Sequence, residues 1–314
     1  MAVDRVNLKR LDLSRNETLR PINRGAEEWM GAVVPVLDHG FVYLVDYQGT
    51  DQSIEEAARV SYGEGTRKTS ETKGLLRYLM RNEHTSPFEM ADIKFHAKMP
   101  IFVARQWVRH RTASLNEYSA RYSVVKDEFY IPEPSVISVQ STDNKQGRGG
   151  VLSPEKSEEV IIKLQDFYRS SNDLYTLLLD ENGGYGLARE LARTVLPVAS
   201  YTEWYWKTNL HNMLHFLKLR MDPHAQYEIR EYANAMAEVI KDSFPITWEA
   251  FSDYQLNATK ITGPEKVIIV DMLKKRGVIF SAAEVDQTAK NSGLKNKREI
   301  EELTDKIDKF GLLE

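Results

Sequence analysis

The feature that most restricts the fold is a strict alternation of apolar and polar residues over residues 91–98. The stretch reads ADIKFHAK, in which every second residue from Ala91 to Ala97 is apolar. Successive side chains of a β-strand point to opposite faces, so this pattern predicts a strand with one buried and one polar face. A fold built on it needs further elements to cover the buried face.

The rest of the chain supplies both strands and helices. Residues 35–48 alternate around Asp38-His39-Gly40, which predicts a hairpin, and residues 198–206 are β-prone and aromatic. A capping box at Ser53 and Glu56 predicts the start of one helix. Further helices are predicted over 69–81, 100–107, from Ser153-Pro154-Glu155 to Gly183-Gly184, 186–195, 209–220 and 224–243, and a loop over 140–150.

No regular strand–helix–strand repeat links these elements, which favours the α+β class. We expect a mixed sheet core flanked by helices, with a small helical appendage at the C-terminal end. The predicted organisation is an N-terminal extension over 1–34, a catalytic domain over 35–258 and a helical extension over 259–314.

The amino-acid composition excludes several kinds of partner and reaction. The 314 residues carry a net charge of −4, so no overall basic field draws the chain to nucleic acid. The chain has no cysteine, which excludes disulfides, cysteine-ligated metals and thiolate catalysis. No apolar run approaches the roughly 18–20 residues of a membrane helix. We therefore expect a cytoplasmic protein that binds neither membrane nor nucleic acid.

The segment 109–122 carries the clearest chemical signal. It reads RHRTASLNEYSARY, and almost every side chain can donate or accept a hydrogen bond. Its cations are arginine and histidine, without lysine, and arginine binds phosphates through two parallel hydrogen bonds. Asn116-Glu117 suits the edge of a base or a sugar. A solvated, charged loop is the plain alternative, but the combination favours a nucleotide site.

This segment resembles the signature of the flavin-dependent thymidylate synthases. The pattern is R-H-R, two residues, S, one residue, N-E, one residue, S, one residue, R-Y, and all of its defining positions are present between Arg109 and Tyr122. Blocks resembling the same family lie at 57–61, 85–89, 100–107, 193–197 and 219–226. Departures are Ser86, Met90, His211 and His215, where other members carry Thr, His, Arg and Asn.

The resemblance implies an enzyme that methylates dUMP to dTMP. It further implies methylenetetrahydrofolate as carbon donor, FAD reduced by NADPH as hydride source, and a homotetramer with sites shared between subunits. Two alternatives stay open: an enzyme that modifies a different pyrimidine nucleotide, for example by hydroxymethylation, and a non-enzymatic nucleic-acid binder.

The resemblance also assigns site residues. It puts Gln106, Ser119, Arg121 and Arg193 at the phosphate end of dUMP, and Arg109, Glu117 and Arg220 around its ring and sugar, with Ala120 also in contact. The residues expected to line FAD are Ser61, Ser86, Glu89, Arg109, His110, Arg111, Asn116, Glu117, Asn209, His211 and His215.

Two other constellations are weaker. His211 and His215 share a helix face at a spacing that can hold zinc, but no third ligand is evident, and we expect no metal. Ser119 and His110 could form a nucleophile and base, but no carboxylate is placed to orient the histidine.

Arg220 is the candidate catalytic residue. Methylation at C5 of uracil requires electron density on that carbon, and a chain without cysteine cannot supply it by adding a thiolate at C6. A guanidinium at the N3/O2 side of the ring would stabilise negative charge there and favour a ring that is nucleophilic at C5.

Overall fold

The structure is a computed structural model that describes residues 7–13, 17, 19–60, 71–142 and 147–314. The chain divides into two compact units, Met1–Leu256 and Asn257–Glu314. The predicted boundaries at 34/35 and 258/259 stay predictions.

A six-stranded sheet organises the first unit, in the order β1-β2-β3-β4-β8-β5. Its strands are β1 (Lys9–Arg10), β2 (Ala32–Val36), β3 (Gly40–Gln48), β4 (Asp92–Pro100), β5 (Ser114–Glu117) and β8 (Tyr201–Asn209). A separate two-stranded ribbon pairs β6 (Ser138–Gln140) with β7 (Arg148–Val151).

The α+β class is confirmed, but the strand pairs within the sheet are antiparallel rather than mixed. The alternation of β4 gives the physical reason. Ile93, Phe95 and Ala97 are fully buried, whereas Lys94 and His96 on the other face are only partly covered. Antiparallel sheets tolerate one partly solvated face, and parallel sheets are usually covered on both.

Helices cover the apolar face of the sheet. The helices of the first unit are α1 (Arg24–Trp29), α2 (Asp51–Arg59), α3 (Thr72–Arg81), α4 (Ile101–Trp107), α5 (Pro154–Leu179), α6 (Arg189–Ala192), α7 (Leu210–Arg220), α8 (Tyr227–Ser243) and α9 (Pro245–Phe251). Short 3₁₀ turns lie at Ser86–Met90, Pro134–Val136 and Arg193–Val195, and a π-helical turn at Ser252–Leu256 follows α9.

Aromatic packing fixes the helices that carry the site. Trp107, the last residue of α4, is fully buried and stacks on Phe216 of α7 with ring centroids 5.0 Å apart. It also meets Trp206 of β8 edge to face at 5.5 Å. Burial of such large rings contributes several kcal/mol each, at about 25 cal/mol per Å² of apolar surface. The ends of α4 and α7 are therefore held together rigidly.

Two local predictions were wrong. The capping box of α2 joins Thr50 and Ser53, not Ser53 and Glu56, because Thr50 is the extended residue that precedes the helix. Part of the predicted 140–150 loop forms strand β7. Within the predicted extension 1–34, residues Arg24–Trp29 form α1, whose Ala26 and Trp29 are buried in the core.

The second unit is helical, as expected. It contains α10 (Gly263–Lys275), α11 (Ala282–Asn291) and α12 (Lys297–Lys309). Its buried apolar residues are few, among them Val285, Ala289, Ile300 and Leu312.

Candidate active site

The signature segment begins where α4 ends. His110 N–H donates to the Trp107 carbonyl at 3.0 Å, which turns the chain out of the helix. The segment then forms β5, the edge strand of the sheet, with Asn116 opposite Tyr205 and Glu117 opposite Trp204. All four β5 residues are exposed. The polar signature side chains therefore stand on an open edge rather than in the core.

Arg220, the last residue of α7, lies against the start of the signature. Its Nε donates to His110 Nε2 at 3.0 Å, and one terminal nitrogen donates to the Gln106 carbonyl at 3.2 Å. The two hydrogen bonds fix the plane of the guanidinium. The structure thus brings Arg220 against Gln106 and His110, which precede it by 114 and 110 residues.

His110 is held in its neutral form. Burial, then the charge of Arg220, and then His215 lower the pKa of His110 from 6.5 to about 4. A neutral imidazole keeps a lone pair on Nε2, and this is the atom that accepts the Arg220 hydrogen bond.

Arg220 keeps its positive charge without a carboxylate beside it. Burial lowers the pKa of Arg220, but an arginine stays protonated at every physiological pH. Among the residues that the structure describes, no ion pair involves Arg220, Arg109, Arg111 or Arg193. These guanidiniums are available to a negatively charged ligand.

A cavity of about 390 Å³ collects several of the predicted substrate residues. Its lining includes Glu117, Ser119, Ala120 and Arg193, together with Thr202 of β8. Thr202 Oγ1 donates to Glu117 Oε1 at 2.7 Å, which orients the carboxylate. A guanidinium, a hydroxyl and a carboxylate thus share one concave site.

The remaining predicted substrate residues lie elsewhere. Arg121 Nε pairs with Glu190 Oε2 at 3.2 Å, and both side chains are more than half exposed. Arg109 is exposed at the turn after α4. Neither Arg109 nor Arg121 lines the 390 Å³ cavity.

Three of the predicted flavin residues line two further cavities. One, of about 300 Å³, is lined by His211 and His215. The other, of about 790 Å³, is lined by Ser86. Leu79 and His84 line both cavities, so the two adjoin.

The other flavin predictions are placed as follows. Glu89 accepts a hydrogen bond from Thr85 Oγ1 at 3.2 Å, and its charge opposes the burial that lowers the pKa of His211. Asn209 caps α7, its Oδ1 accepting from the Asn212 N–H at 2.9 Å. Arg111 is exposed. Ser61 lies outside the described residues.

Sequence reasoning missed three residues that line the 300 Å³ cavity. They are Glu83, which has a positive φ of 57°, His84, and Gln255 on the π-helical turn. His84 directly precedes the Thr85–Glu89 block, so its position gave a usable signal. Gln255 gave none, because a π-helical turn has no sequence pattern that distinguishes it from the end of a helix.

The described residues form neither a cluster of metal ligands nor a helix suited to a membrane. No three His, Asp or Glu side chains there gather closely enough to hold a metal ion. No described helix combines the length and apolarity that a membrane crossing requires.

Comparison with known proteins identifies the family. The family model described as "Thymidylate synthase complementing protein" matches residues 43–246. Flavin-dependent thymidylate synthases from Rickettsia bellii and Rickettsia prowazekii are 49% and 50% identical, each over 92% of this chain and 98% of the relative. This chain belongs to the flavin-dependent thymidylate synthase family. All of the candidate site residues, from Ser61 to Arg220, fall inside the segment that the family model matches.

Solved structures in this family agree with the fold. A UMP/dUMP methylase, PolB from Streptomyces cacaoi, bound with 5-Br UMP superposes with a TM-score of 0.63 at 35% identity, covering 71% of this chain and 98% of that one. The same methylase bound with 5-Br dUMP gives a TM-score of 0.63 at 34% identity, with 71% and 99% coverage. The Gluconobacter oxydans synthase, 46% identical, covers 98% of this chain, so the alignment reaches the second unit.

Proposed function

We propose that this protein methylates dUMP to dTMP, with methylenetetrahydrofolate as carbon donor and FAD reduced by NADPH as hydride source. Membership of the family supports the reaction. The observation that carries it is the 390 Å³ cavity, because Arg193 and Ser119 suit a phosphate while Glu117 suits a sugar or a base edge. A mononucleotide offers all of these groups together.

The cavities beside α3 and α7 fit a flavin. FAD is long, and two adjoining cavities that share Leu79 and His84 provide an elongated site. Volumes of about 300 and 790 Å³ lie in the range of ligand pockets. Ser86, His211 and His215 supply polar contacts along it. We assign Glu89, Asn209, Arg111, Asn116 and Ser61 to the same ligand on the resemblance alone.

The protein activates the substrate through charge. When bound, FAD reduced by NADPH would supply the hydride and methylenetetrahydrofolate the one-carbon unit. We assign Arg220 to the uracil ring, where its guanidinium stabilises negative charge and raises the nucleophilicity of C5. Neutral His110 and the Gln106 carbonyl hold that guanidinium without cancelling its charge. Arg193 and Ser119 hold the phosphate end, and Arg121, Arg109 and Ala120 are proposed as further contacts.

A homotetramer with shared sites is part of the proposal. The long helix α5 exposes Ile162, Phe167, Leu174 and Leu177, each with 43–57% of its side chain accessible. Apolar residues grouped on one exposed helix often mark an interface. The open β5 edge is consistent with a neighbouring subunit that completes the site. A cytoplasmic location also stays a prediction.

The test identifies both the bound cofactor and the reaction product. Purified protein should carry FAD, identified after release by its absorbance and mass. With dUMP, methylenetetrahydrofolate and NADPH it should form dTMP, and UMP serves as the parallel substrate. A hydroxymethylated product would favour the rival enzyme. Protein that binds no FAD even when FAD is added would contradict the proposal.

The oligomeric state is tested separately. Light scattering after size exclusion should give four times the chain mass of 36.1 kDa. Phe167→Glu should reduce that mass, whereas Phe167→Leu, which keeps the apolar surface, should not. A monomeric wild type with full activity would refute the shared-site proposal.

A further inference from the structure

Glu228 is a buried carboxylate surrounded by hydrogen-bond donors. It lies in the first turn of α8 with 3% of its surface exposed. Its Oε1 pairs with Arg148 of β7 and accepts from the Tyr130 hydroxyl at 3.1 Å, while its Oε2 accepts from Gln226 Nε2 at 2.8 Å. An ionised carboxylate can only accept hydrogen bonds, so each neighbour must turn a donor toward it.

This requirement fixes the amide of Gln226. Gln226 is the residue that precedes α8, but its side chain does not cap the helix. Because its NH₂ group faces Glu228, its carbonyl oxygen faces away from that residue. Gln106 Nε2 donates to this oxygen. The orientation follows from the carboxylate, since the opposite orientation would place a carbonyl oxygen against a carboxylate oxygen.

The same logic fixes Gln106 on α4. One N–H of its NH₂ group donates to Gln226, so the carbonyl side of the amide, Oε1, faces away from Gln226 and offers an acceptor to another group. In the described part of the chain no group donates to Gln106 Oε1. The backbone carbonyl of Gln106 also accepts from Arg220 at 3.2 Å, so this residue adjoins the proposed catalytic guanidinium.

We propose that Glu228 and Gln226 are positioning residues that make Gln106 present an acceptor oxygen to the nucleotide. The group it takes is a hydrogen-bond donor of the nucleoside, namely the uracil N3–H or a sugar hydroxyl. A phosphate carries acceptor oxygens and cannot donate to Oε1, so we place Gln106 at the nucleoside rather than at the phosphate end. The inference rests on the proposed function, because it takes dUMP as the ligand.

Another role for Glu228 has to be separated from this one. Its ion pair with Arg148 could simply fasten the β6–β7 ribbon to α8. An exchange of residues distinguishes the two roles. In the double variant Gln226→Glu with Glu228→Gln, the carboxylate at position 226 accepts from both glutamines, so Gln106 keeps its orientation. The charge has meanwhile moved away from the position that pairs with Arg148.

The experiment measures binding rather than turnover. Calorimetry on the flavin-loaded protein compares dUMP with its N3-methyl derivative and with 2′,3′-dideoxyuridine monophosphate, which lack one donor each. Wild type should bind one of these analogues about tenfold more weakly than dUMP, the value of one hydrogen bond. The analogue that loses affinity identifies the donor. Gln106→Met should bind that analogue and dUMP equally.

We call the hydrogen-bonded series Glu228, Gln226 and Gln106 the relay, and three variants test it. Glu228→Gln should abolish the tenfold preference. Arg148 and Tyr130 donate to the carbonyl oxygen of the new amide, so its NH₂ group faces Gln226 and the amides of Gln226 and Gln106 reverse. The double variant should restore the preference. Glu231→Gln, the same change one turn along α8, should leave it intact. Deoxyuridine should lose affinity equally in wild type and Gln106→Met, because the phosphate does not contact Gln106.

The outcomes separate two failures. Wild type that binds no dUMP overturns the proposed function and this inference with it. Wild type that binds dUMP, with the preference unchanged in Glu228→Gln, overturns the relay alone. A preference lost in Glu228→Gln and not restored in the double variant also overturns the relay, since Glu228 then acts through Arg148.

Discussion

Replacing Arg220 by lysine tests the chemistry most directly. The guanidinium of Arg220 is fixed by hydrogen bonds to His110 Nε2 at 3.0 Å and to the Gln106 carbonyl at 3.2 Å. A lysine ammonium is a point charge on a flexible chain and cannot keep both contacts together with a planar face toward the ring. Arg220→Lys therefore retains a charge and loses its placement.

The expected loss falls mainly on turnover. Removal of one preorganised electrostatic donor costs about 10²–10³ in rate, or roughly 3–4 kcal/mol. The role proposed for Arg220 requires a stronger interaction with the charged transition state than with neutral uracil, so dUMP affinity should fall by about tenfold or less. Flavin should remain bound, since His211 and His215 line a separate cavity that does not include Arg220.

Single-turnover formation of dTMP gives the rate, and titration of the flavin absorbance with dUMP gives the affinity. Arg230→Lys is the matched control, because within the described residues the Arg230 side chain donates only to the Pro223 carbonyl and lines none of the three cavities. If Arg220→Lys keeps the wild-type single-turnover rate and loses affinity alone, Arg220 is only a binding residue and another group activates the ring.

Three further outcomes are expected. Arg193→Ala should remove most of the preference for dUMP over deoxyuridine in calorimetry, a loss of about 2–3 kcal/mol for a charge-assisted contact; an unchanged preference would exclude Arg193 from the phosphate site. Asp51 caps the first turn of α9, accepting from the backbone N–H groups of Ile246 and Thr247 at 2.9 and 3.0 Å. Asp51→Ala should therefore lower the free energy of unfolding by about 1–3 kcal/mol in urea titrations, and an unaltered unfolding midpoint would count against this cap. The pKa of His110 is lowered to about 4, so as pH falls the unfolded state binds a proton at this residue before the folded state does. The free energy of unfolding should therefore decrease as pH falls from 6.5 toward 4, and His110→Gln should weaken that dependence. An NMR titration midpoint of His110 near pH 6.5 would refute this prediction.

Elements with a buried face were the predictable part of the fold. The alternation over 91–98 identified β4, and the apolar stripe of Leu210, Met213, Leu214 and Leu217 identified α7, because burial forces a period on the sequence. The short helix α1 was missed. Its six residues are too few to display a period, and Trp29 is buried by partners distant in the chain, including Asp242, which accepts its indole N–H.

The site was predictable in its residue types but not in its grouping. The signature indicated a nucleotide because arginine, amide and carboxylate occur together in one segment. The sequence did not show that Glu117 and Arg193 share a cavity while Arg121 pairs with Glu190, because these contacts depend on how the loops after β5 and α6 meet. The proposed role of Glu228 could not be predicted either, because it acts on Gln106 through hydrogen bonds between residues that only the tertiary fold brings together.

The distribution of paired and unpaired arginines argues for an anionic ligand. The chain has 46 acidic and 42 basic residues, so carboxylates are available to neutralise every cation. Structural arginines use them: Arg77 pairs with Glu249 and Asp253, and Arg148 pairs with Glu228. In contrast, Arg193 and Arg220 have no ion pair within the described residues. Burial of the Arg220 guanidinium without a carboxylate partner disfavours its charged form in the free protein, a cost that an electron-rich pyrimidine ring would offset.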